Sequence, residues 1–428
     1  MQKPLQINPT KLSQPMGATL AFLGVKSCMP LMHGALGCAS FTKVFFTRHF
    51  NDPIAMQTTA VNDITAVIDG GHWGVLESIK NITAKVTPAL IGLHTTGLTE
   101  TKGDDIRAVS ELIRDEQPIV WVNTPDFEGG FESGFSKAVS AMIKQLIIPK
   151  TTINNQKALI IPNANLKPLE IEKIKEELEL FGFLAFALPD ISLSLDGHLD
   201  EKPSTLSSGG IELCDIYELG DSSLIITIGS SVKDCGVSFV SNINPHTKHL
   251  HFDSLSGLIN SDGFYKEILE FKNLSTPHPK IIKWRKRLQD ALLDTHFALG
   301  STKFAVVGQN DEVHSICELL SEAGGRVSVA IVSEKSPINS EIKATNVIVG
   351  DFYDLEKYEN EYEILITNFH GIQIARNYNK GLVLRGYPNY EEVGNSLKSD
   401  LLYEGSCYFL FEVANTIIHH QEHTKEHK

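Results

Sequence analysis

A short β-branched run that ends in a polar or glycine turn and is followed by a helix-period segment recurs along most of this 428-residue chain. Alternation of that kind demands parallel strands with crossover helices, because parallel neighbours cannot be joined by a tight hairpin. Strands are expected at residues 89–93, 119–122, 158–161, 184–187, 224–228, 304–307, 327–332, 346–349, 364–366 and 382–384. That is too many for one sheet here, and a chain of this length calls for two or three cores of about 100 to 200 residues. The strands fall into three groups, the first after an N-terminal region with little strand character.

The expected fold is therefore α/β, with three Rossmann-like doubly wound parallel-sheet domains: an N-terminal domain over 1–152, a second over 153–278, and a third over 279–428 that ends in a helix and tail. Between the second and third groups, PKIIKWRKRLQDALLDTHFAL at 279–299 places Ile282, Arg285, Leu288, Leu292 and Leu299 on one side of a long connecting helix. Its basic residues, Lys280, Lys283, Arg285, Lys286 and Arg287, are followed by Asp290 and Asp294 and read as a solvated face.

Thirty-eight basic residues against 52 acidic ones give a formal charge of −14, which repels polyphosphate and argues against a nucleic-acid partner. Residues 1–13 hold no apolar run of signal-peptide length, and nowhere are there 18 uninterrupted apolar residues, so a cytoplasmic chain with no membrane partner is expected. The six cysteines, at 28, 38, 214, 235, 317 and 407, form no C-x-x-C and are too sparse for a disulfide scaffold. The histidines at 419, 420, 423 and 427 lie in a polar tail that reads as frayed terminus rather than metal site.

Nucleotide machinery is the first thing to seek on parallel sheets, and it is missing. No G-x-x-x-x-G-K-[ST] occurs, the turn after the strand at 304–307 reads VVGQNDE with one glycine, and G-x-S-x-G is absent. His246, His249 and His251 crowd within NPHTKHLHFD, a spacing that can ligate zinc, but a polar loop beside a strand is the favoured reading.

The unusual stretch is SCMPLMHGALGCASFTKVFFTRHF at 27–50. The turn His33-Gly34-Ala35-Leu36-Gly37 leads to Cys38 and then to a segment with Phe41, Val44, Phe45 and His49 at helical spacing. Cys38 is expected at or just before a helix N-terminus, where the dipole and free amides favour thiolate and the glycines admit a bulky ligand, as a metal cluster requires. The competing reading is a small buried residue closing a turn. A cubane cluster takes four thiolates, and Cys28 lies ten residues upstream without suitable spacing, so Cys38 could complete one only across a subunit interface.

HGALGC at 33–38, RHF at 48–50, TTGLTETKGDD at 95–105, NTPDF at 123–127 and LDTHF at 293–297 resemble, in order, segments of the nitrogenase component 1 family and its assembly homologues. LSQPMGATLAFLG at 12–24, FESGF at 131–135 and SLDGHLDE at 194–201 especially resemble the family's β-type assembly-scaffold subunits, on which the nitrogenase iron-molybdenum cofactor matures. The catalytic β-subunit contributes three cysteines to an eight-iron cluster; this sequence keeps Cys38 but has Met56 and Gly97 at the other two positions.

The resemblance implies a smaller 4Fe-4S cluster, with one ligand from Cys38 and three from an α-type partner in an α2β2 heterotetramer. It also implies that the cofactor precursor is held mainly by the partner, that the nitrogenase iron protein docks transiently, and that this subunit performs no turnover itself. Cys28 matches no ligand and stays structural; His33 could tune the site or stabilise the turn. Two other readings are a catalytic nitrogenase β-subunit and a two-domain α/β enzyme binding a nucleotide in its cleft.

Overall fold

The computed structural model describes residues 11–47, 49–50, 54–61, 71–113, 115–195, 205–207 and 209–426. It divides into two compact units, Ser13–His251 and a second from Phe252 onward that also takes in Lys11 and Leu12.

The first unit opens with α1 (Gln14–Leu23), β1 (Cys28–His33), α2 (Leu36–Phe46), β2 (Gln57–Thr58), α3 (His72–Thr83), β3 (Leu90–Thr95), α4 (Gly97–Lys102), α5 (Ile106–Ile113), β4 (Ile119–Val122) and α6 (Phe131–Leu146). The four strands form a parallel sheet in the order β2-β1-β3-β4. Met29, Leu31, Ile91 and Leu93 meet Val75, Ile79 and Ile82 of α3 and Ile106 and Val109 of α5. Phe22 of α1 lies against β3 at Gly92, where a Cβ would sit 2.3 Å from the ring.

Glycine also sets how α1 crosses α6. A Cβ on Gly17 would lie 1.9 Å from the Phe131 carbonyl oxygen, and one on Gly134 would lie 2.0 Å from that of Gln14. The two backbones touch, which only glycine permits. This is the physical reason for glycine in the PMGAT and ESGF segments.

The N-terminal region is not poor in strand, as its composition suggested. CMPLMH has no β-branched residue and carries a proline, yet all six residues of β1 are buried. Burial on both faces selects the strand where β-propensity would not. Pro30 is tolerated because β2 pairs only with Leu31 and Met32, leaving Pro30 a neighbour in β3 alone.

The unit's second sheet is built from β5 (Asn154–Pro162), α7 (Pro168–Glu179), β6 (Leu184–Ala187), α8 (Leu213–Tyr217), β7 (Ser222–Ile228), α9 (Lys233–Asn242) and β8 (Lys248–Phe252), in strand order β6-β5-β7-β8. The stretch expected as a polar loop at His249 and His251 is thus strand β8 itself.

The second unit comprises α10 (Gly257–Lys272), α11 (Pro279–Gly300), β9 (Lys303–Gly308), α12 (Asn310–Glu322), β10 (Arg326–Val332), β11 (Asn346–Val349), α13 (Phe352–Glu356), β12 (Ile364–Thr367), α14 (Ile372–Asn377), β13 (Gly381–Leu384) and α15 (Leu402–Glu426). Its five strands are parallel in the order β11-β10-β9-β12-β13, the doubly wound arrangement. Helix α11 packs along α15 and buries Ile281, Leu288, Ala291, Thr295 and Leu299. Ile282 is 39% exposed, so the inward stripe starts one residue earlier than the spacing suggested. Arg285 instead forms a two-pronged pair with Asp262 of α10, at 2.9 and 2.6 Å. No helix among the described residues is long and apolar enough to cross a membrane.

Candidate functional site

The turn between β1 and α2 carries the candidate site. Gly34 passes so close to Thr96 that a Cβ would lie 2.5 Å from its methyl group. Ala35 is extended and caps the helix, and Cys38 is the third residue of α2. Ala39, Thr42 and Phe46 turn inward, while Cys38 is exposed. The inward face is therefore not the one expected: Phe41 is 77% exposed and Val44 is also outside, whereas His49 beyond the helix is buried. A Cβ on Gly37 would meet nothing within 4 Å, so backbone beside the thiol is open to a bulky group.

The turn is held from below by His33. Its carbonyl accepts hydrogen bonds from the hydroxyls of Thr96 at 3.1 Å and Thr99 at 2.9 Å. Its ring is fully buried, with Nδ1 2.8 Å from Thr59 Oγ1 and Nε2 2.9 Å from Asp104 Oδ2. Burial lowers the imidazole's pKa against the pull of Asp104. The Asp104 carboxylate is pushed up by burial but held below its ordinary range by the Gly71 N–H, His33 and Lys102. Burial dominates for His33, so the pair is a neutral imidazole whose Nε2–H donates to an ionised carboxylate. Of the two roles open to His33, the side chain's partners are those of a turn stabiliser.

The electrostatics of Cys38 run against expectation. Its pKa is raised, first by partial burial and then by the Asp126 carboxylate, and only its own backbone N–H pulls the other way. Partial burial and the Asp126 carboxylate thus both favour the protonated thiol. Asp126, in the NTPDF segment, is itself pushed up by burial and restrained by the Gly97 N–H, 3.3 Å from Oδ2. Its proximity to Cys38 was not foreseen, because the two are 88 positions apart in sequence.

The positions that differ from the family's cysteine pattern have clear surroundings. Met56 is 1% exposed and packs with Met32 and Ala39, directly under α2. Gly97 opens α4, where a Cβ would stand 3.4 Å from Asp126 Oδ2. The other thiols are remote in character. Cys28 is buried in β1 with its pKa pushed up by burial, Cys235 lies among Ser136 and Ser140, Cys317 and Cys407 are buried, and Cys214 is exposed. Among the described residues no group of three His, Cys, Asp or Glu side chains gathers to hold a metal. Cys38 is thus a single outward donor. The same helix exposes the apolar side chains of Leu36, Phe41 and Val44, and Leu98 on α4 and Phe127, next to Asp126 in sequence, are exposed as well.

His249 and His251 both lie on β8, bonded to Thr227, while His246 is exposed in the preceding loop. Arg48 of RHF, residues 196–201 of SLDGHLDE and His427 of the tail lie outside the described residues.

Comparison with known proteins places this geometry. Residues 13–418 match the model of the nitrogenase component 1 type oxidoreductase family. The chain is 35% identical to a nitrogenase iron-molybdenum cofactor biosynthesis protein NifN of Rippkaea orientalis, covering 97% of this chain and 95% of that one. It is 30% identical to the NifN of Klebsiella pneumoniae, covering 100% and 94%. Among solved structures, a chain of nitrogenase Cp1 at pH 6.5 superposes with a TM-score of 0.91 at 26% identity, covering 98% of this chain and 94% of that chain.

Proposed function

The chain belongs to the nitrogenase component 1 family, and on that premise we propose that it is the β-type scaffold subunit of nitrogenase iron-molybdenum cofactor biosynthesis. In this reading Cys38 supplies one thiolate to a 4Fe-4S cluster whose other three come from a NifE-like α-type chain, two of each forming an α2β2 heterotetramer. The observation that carries it is the setting of Cys38: one exposed thiol on the first turn of α2, a helix that also exposes Leu36, Phe41 and Val44, with no set of three potential metal donors gathered among the described residues.

The residues present fit such a group. An outward thiol beside open backbone at Gly37 suits a bulky cluster, and three missing donors suit a partner that brings three. When bound, the cluster supplies one-electron transfer. The chain's own residues do the rest. The His33–Asp104 pair fixes the turn, and Leu36, Phe41, Val44 and Phe127 exclude water once a partner covers them. Asp126 sets a negative charge beside the thiol, so the thiol proton must leave as iron binds.

The cofactor precursor is held mainly by the partner, the nitrogenase iron protein docks transiently as reductant, and the complex works in the cytoplasm without nucleic acid or membrane. The subunit is an assembly scaffold with an electron-relay cluster rather than an enzyme in its own right. A catalytic β-subunit would need thiols where buried Met56 and Gly97 stand.

The test is anaerobic co-purification with the α-type chain followed by iron counting. About four irons per αβ pair are expected for one cubane cluster. About eight would favour the catalytic subunit, and tight nucleotide binding by the chain with no iron retained would favour the cleft enzyme.

A further inference from the structure

Asp126 stands where this sequence departs from the family's cysteine pattern. At position 97 the pattern has a thiolate ligand and this chain has glycine. A Cβ there would come 3.4 Å from Asp126 Oδ2, and the same oxygen accepts from the Gly97 N–H at 3.3 Å. A carboxylate therefore borders the space that a side chain at 97 would enter.

The segment that carries Asp126 is fixed in place. Buried Thr124 is bonded twice to Thr95 at the end of β3: its N–H donates to Thr95 Oγ1 at 2.8 Å and its hydroxyl donates to the Thr95 carbonyl at 2.6 Å. Residues 125–128 then turn, with the Glu128 N–H on the Pro125 carbonyl at 3.2 Å. The turn that leads to Cys38 is tied to the same strand end, through the Thr96 hydroxyl on the His33 carbonyl. Two loops that meet at one strand end thus carry the thiol and the carboxylate, and Asp126 is the one charged side chain of the described residues that acts on the Cys38 thiol.

Capping α4 does not need a charge. Asn and Ser serve a helix N-terminal N–H as well as Asp does, and α4 already has the capping box of Thr96 and Thr99. Among the described residues Asp126 makes no ion pair, and Gly97 is its one hydrogen-bond partner. This chain therefore leaves the charge uncompensated.

Resting on the reading of Cys38 as a cluster ligand, we infer that Asp126 sets the reduction potential of that cluster: its fixed negative charge, beside the position of the absent thiolate, opposes the addition of an electron. Cluster potentials follow net charge and solvent exposure. The effect of the carboxylate grows once a partner excludes water, because the local dielectric falls. One electron arrives from the nitrogenase iron protein and one leaves toward the cofactor precursor; Asp126 binds no iron and changes neither count. By lowering the potential it makes the relayed electron a stronger reductant.

The test is a redox titration of the anaerobically assembled αβ pair, with dithionite and mediators, followed by electron paramagnetic resonance. Asp126→Asn keeps an acceptor for the Gly97 N–H and removes the charge. It is expected to make the cluster about tenfold easier to reduce, about 59 mV upward for one electron, with iron unchanged at about four per pair. Asp126→Glu is expected to stay near wild type. Glu128, whose carboxylate is paired with Lys137 at 3.0 Å, is the control, and Glu128→Gln is expected to leave the midpoint in place. An unmoved or lowered midpoint in Asp126→Asn, or an equal shift in Asp126→Glu or Glu128→Gln, overturns the inference and leaves the assignment of Cys38 intact. A wild-type pair without iron overturns both. Should Asp126→Asn assemble poorly, Asp126→Ser is read by the same criterion.

Discussion

The imidazole of His33 lies 2.9 Å from the Asp104 carboxylate beneath the turn that presents Cys38, and it is wholly shielded from solvent. The contact ties β1 to the loop after α4, across 71 residues of sequence. Asp104 also accepts from the Gly71 N–H at 2.9 Å, so one carboxylate anchors three segments. Truncating His33 to Ala leaves a buried carboxylate short of a donor and opens a cavity, at a cost of about 3 kcal/mol. Urea unfolding of His33→Ala, compared with His33→Gln, checks this. A change below about 1 kcal/mol would mean the turn is held by the backbone alone.

Buried neutral histidines also set the pH dependence of stability. His94 and His49 are each held near 4 against an ordinary value of 6.5, in both cases through burial. Between those values the unfolded chain takes up protons that the folded chain refuses, so stability is complete above about pH 6.5 and falls as pH drops toward 4. The slope reaches about 1.4 kcal/mol per pH unit for each such histidine. Asp104, held low, contributes above its ordinary value of 3.8 and loses that contribution only at lower pH. The urea midpoint should therefore decline from pH 6.5 to 4, and His94→Gln should flatten the decline. A flat profile in wild type would contradict the burial of these rings.

The crossing of α1 and α6 leaves no space for a methyl group. Gly134→Ala would place its Cβ 2.0 Å from a main-chain oxygen, which cannot move as a side-chain tip could. A loss of about 3 kcal/mol or more is expected, at the upper end of overpacking effects. Differential scanning calorimetry measures it; an unchanged thermal midpoint would mean the helices cross elsewhere.

The apolar rim of α2, the helix that carries Cys38, gives a prediction about partnership separate from folding. Phe41 and Val44 are exposed, so Phe41→Asp should leave the chain's own thermal midpoint within about 1 °C of wild type, as surface changes usually do. If the rim is the seat of the α-type chain, the same change should weaken pairing by about 2 kcal/mol or more, near thirtyfold, as at a buried interface centre. Analytical ultracentrifugation of the pair measures this. Undiminished pairing would move the interface away from α2.

Much of the fold was legible because parallel α/β chains write each strand as a short β-branched run. Residues 119–122 and 346–349 are strands with those very limits, and so are 184–187, although LAFA holds no β-branched residue. β1 was illegible because CMPLMH is chosen by burial rather than propensity, and β8, although His249 and His251 alternate as on a strand, because its polar residues read as a loop. The site was legible only in part. Cys38 and its helix follow from a local glycine turn, but its outward direction depends on which face of α2 packs, and Phe46 rather than Phe45 is the buried ring. Asp126 and Asp104 reach the site from distant segments, and nothing local to either residue announces it.

The most direct measurement is electron paramagnetic resonance, with iron counting, on the anaerobically assembled αβ pair carrying Cys38→Ala beside wild type and Cys38→Ser. Wild type should hold about four irons per pair. Cys38→Ala should lose that iron or shift its spectrum, with Cys38→Ser intermediate because an alkoxide can replace a thiolate in part. An unchanged spectrum and iron content in Cys38→Ala would contradict the assignment of this thiol as the chain's ligand.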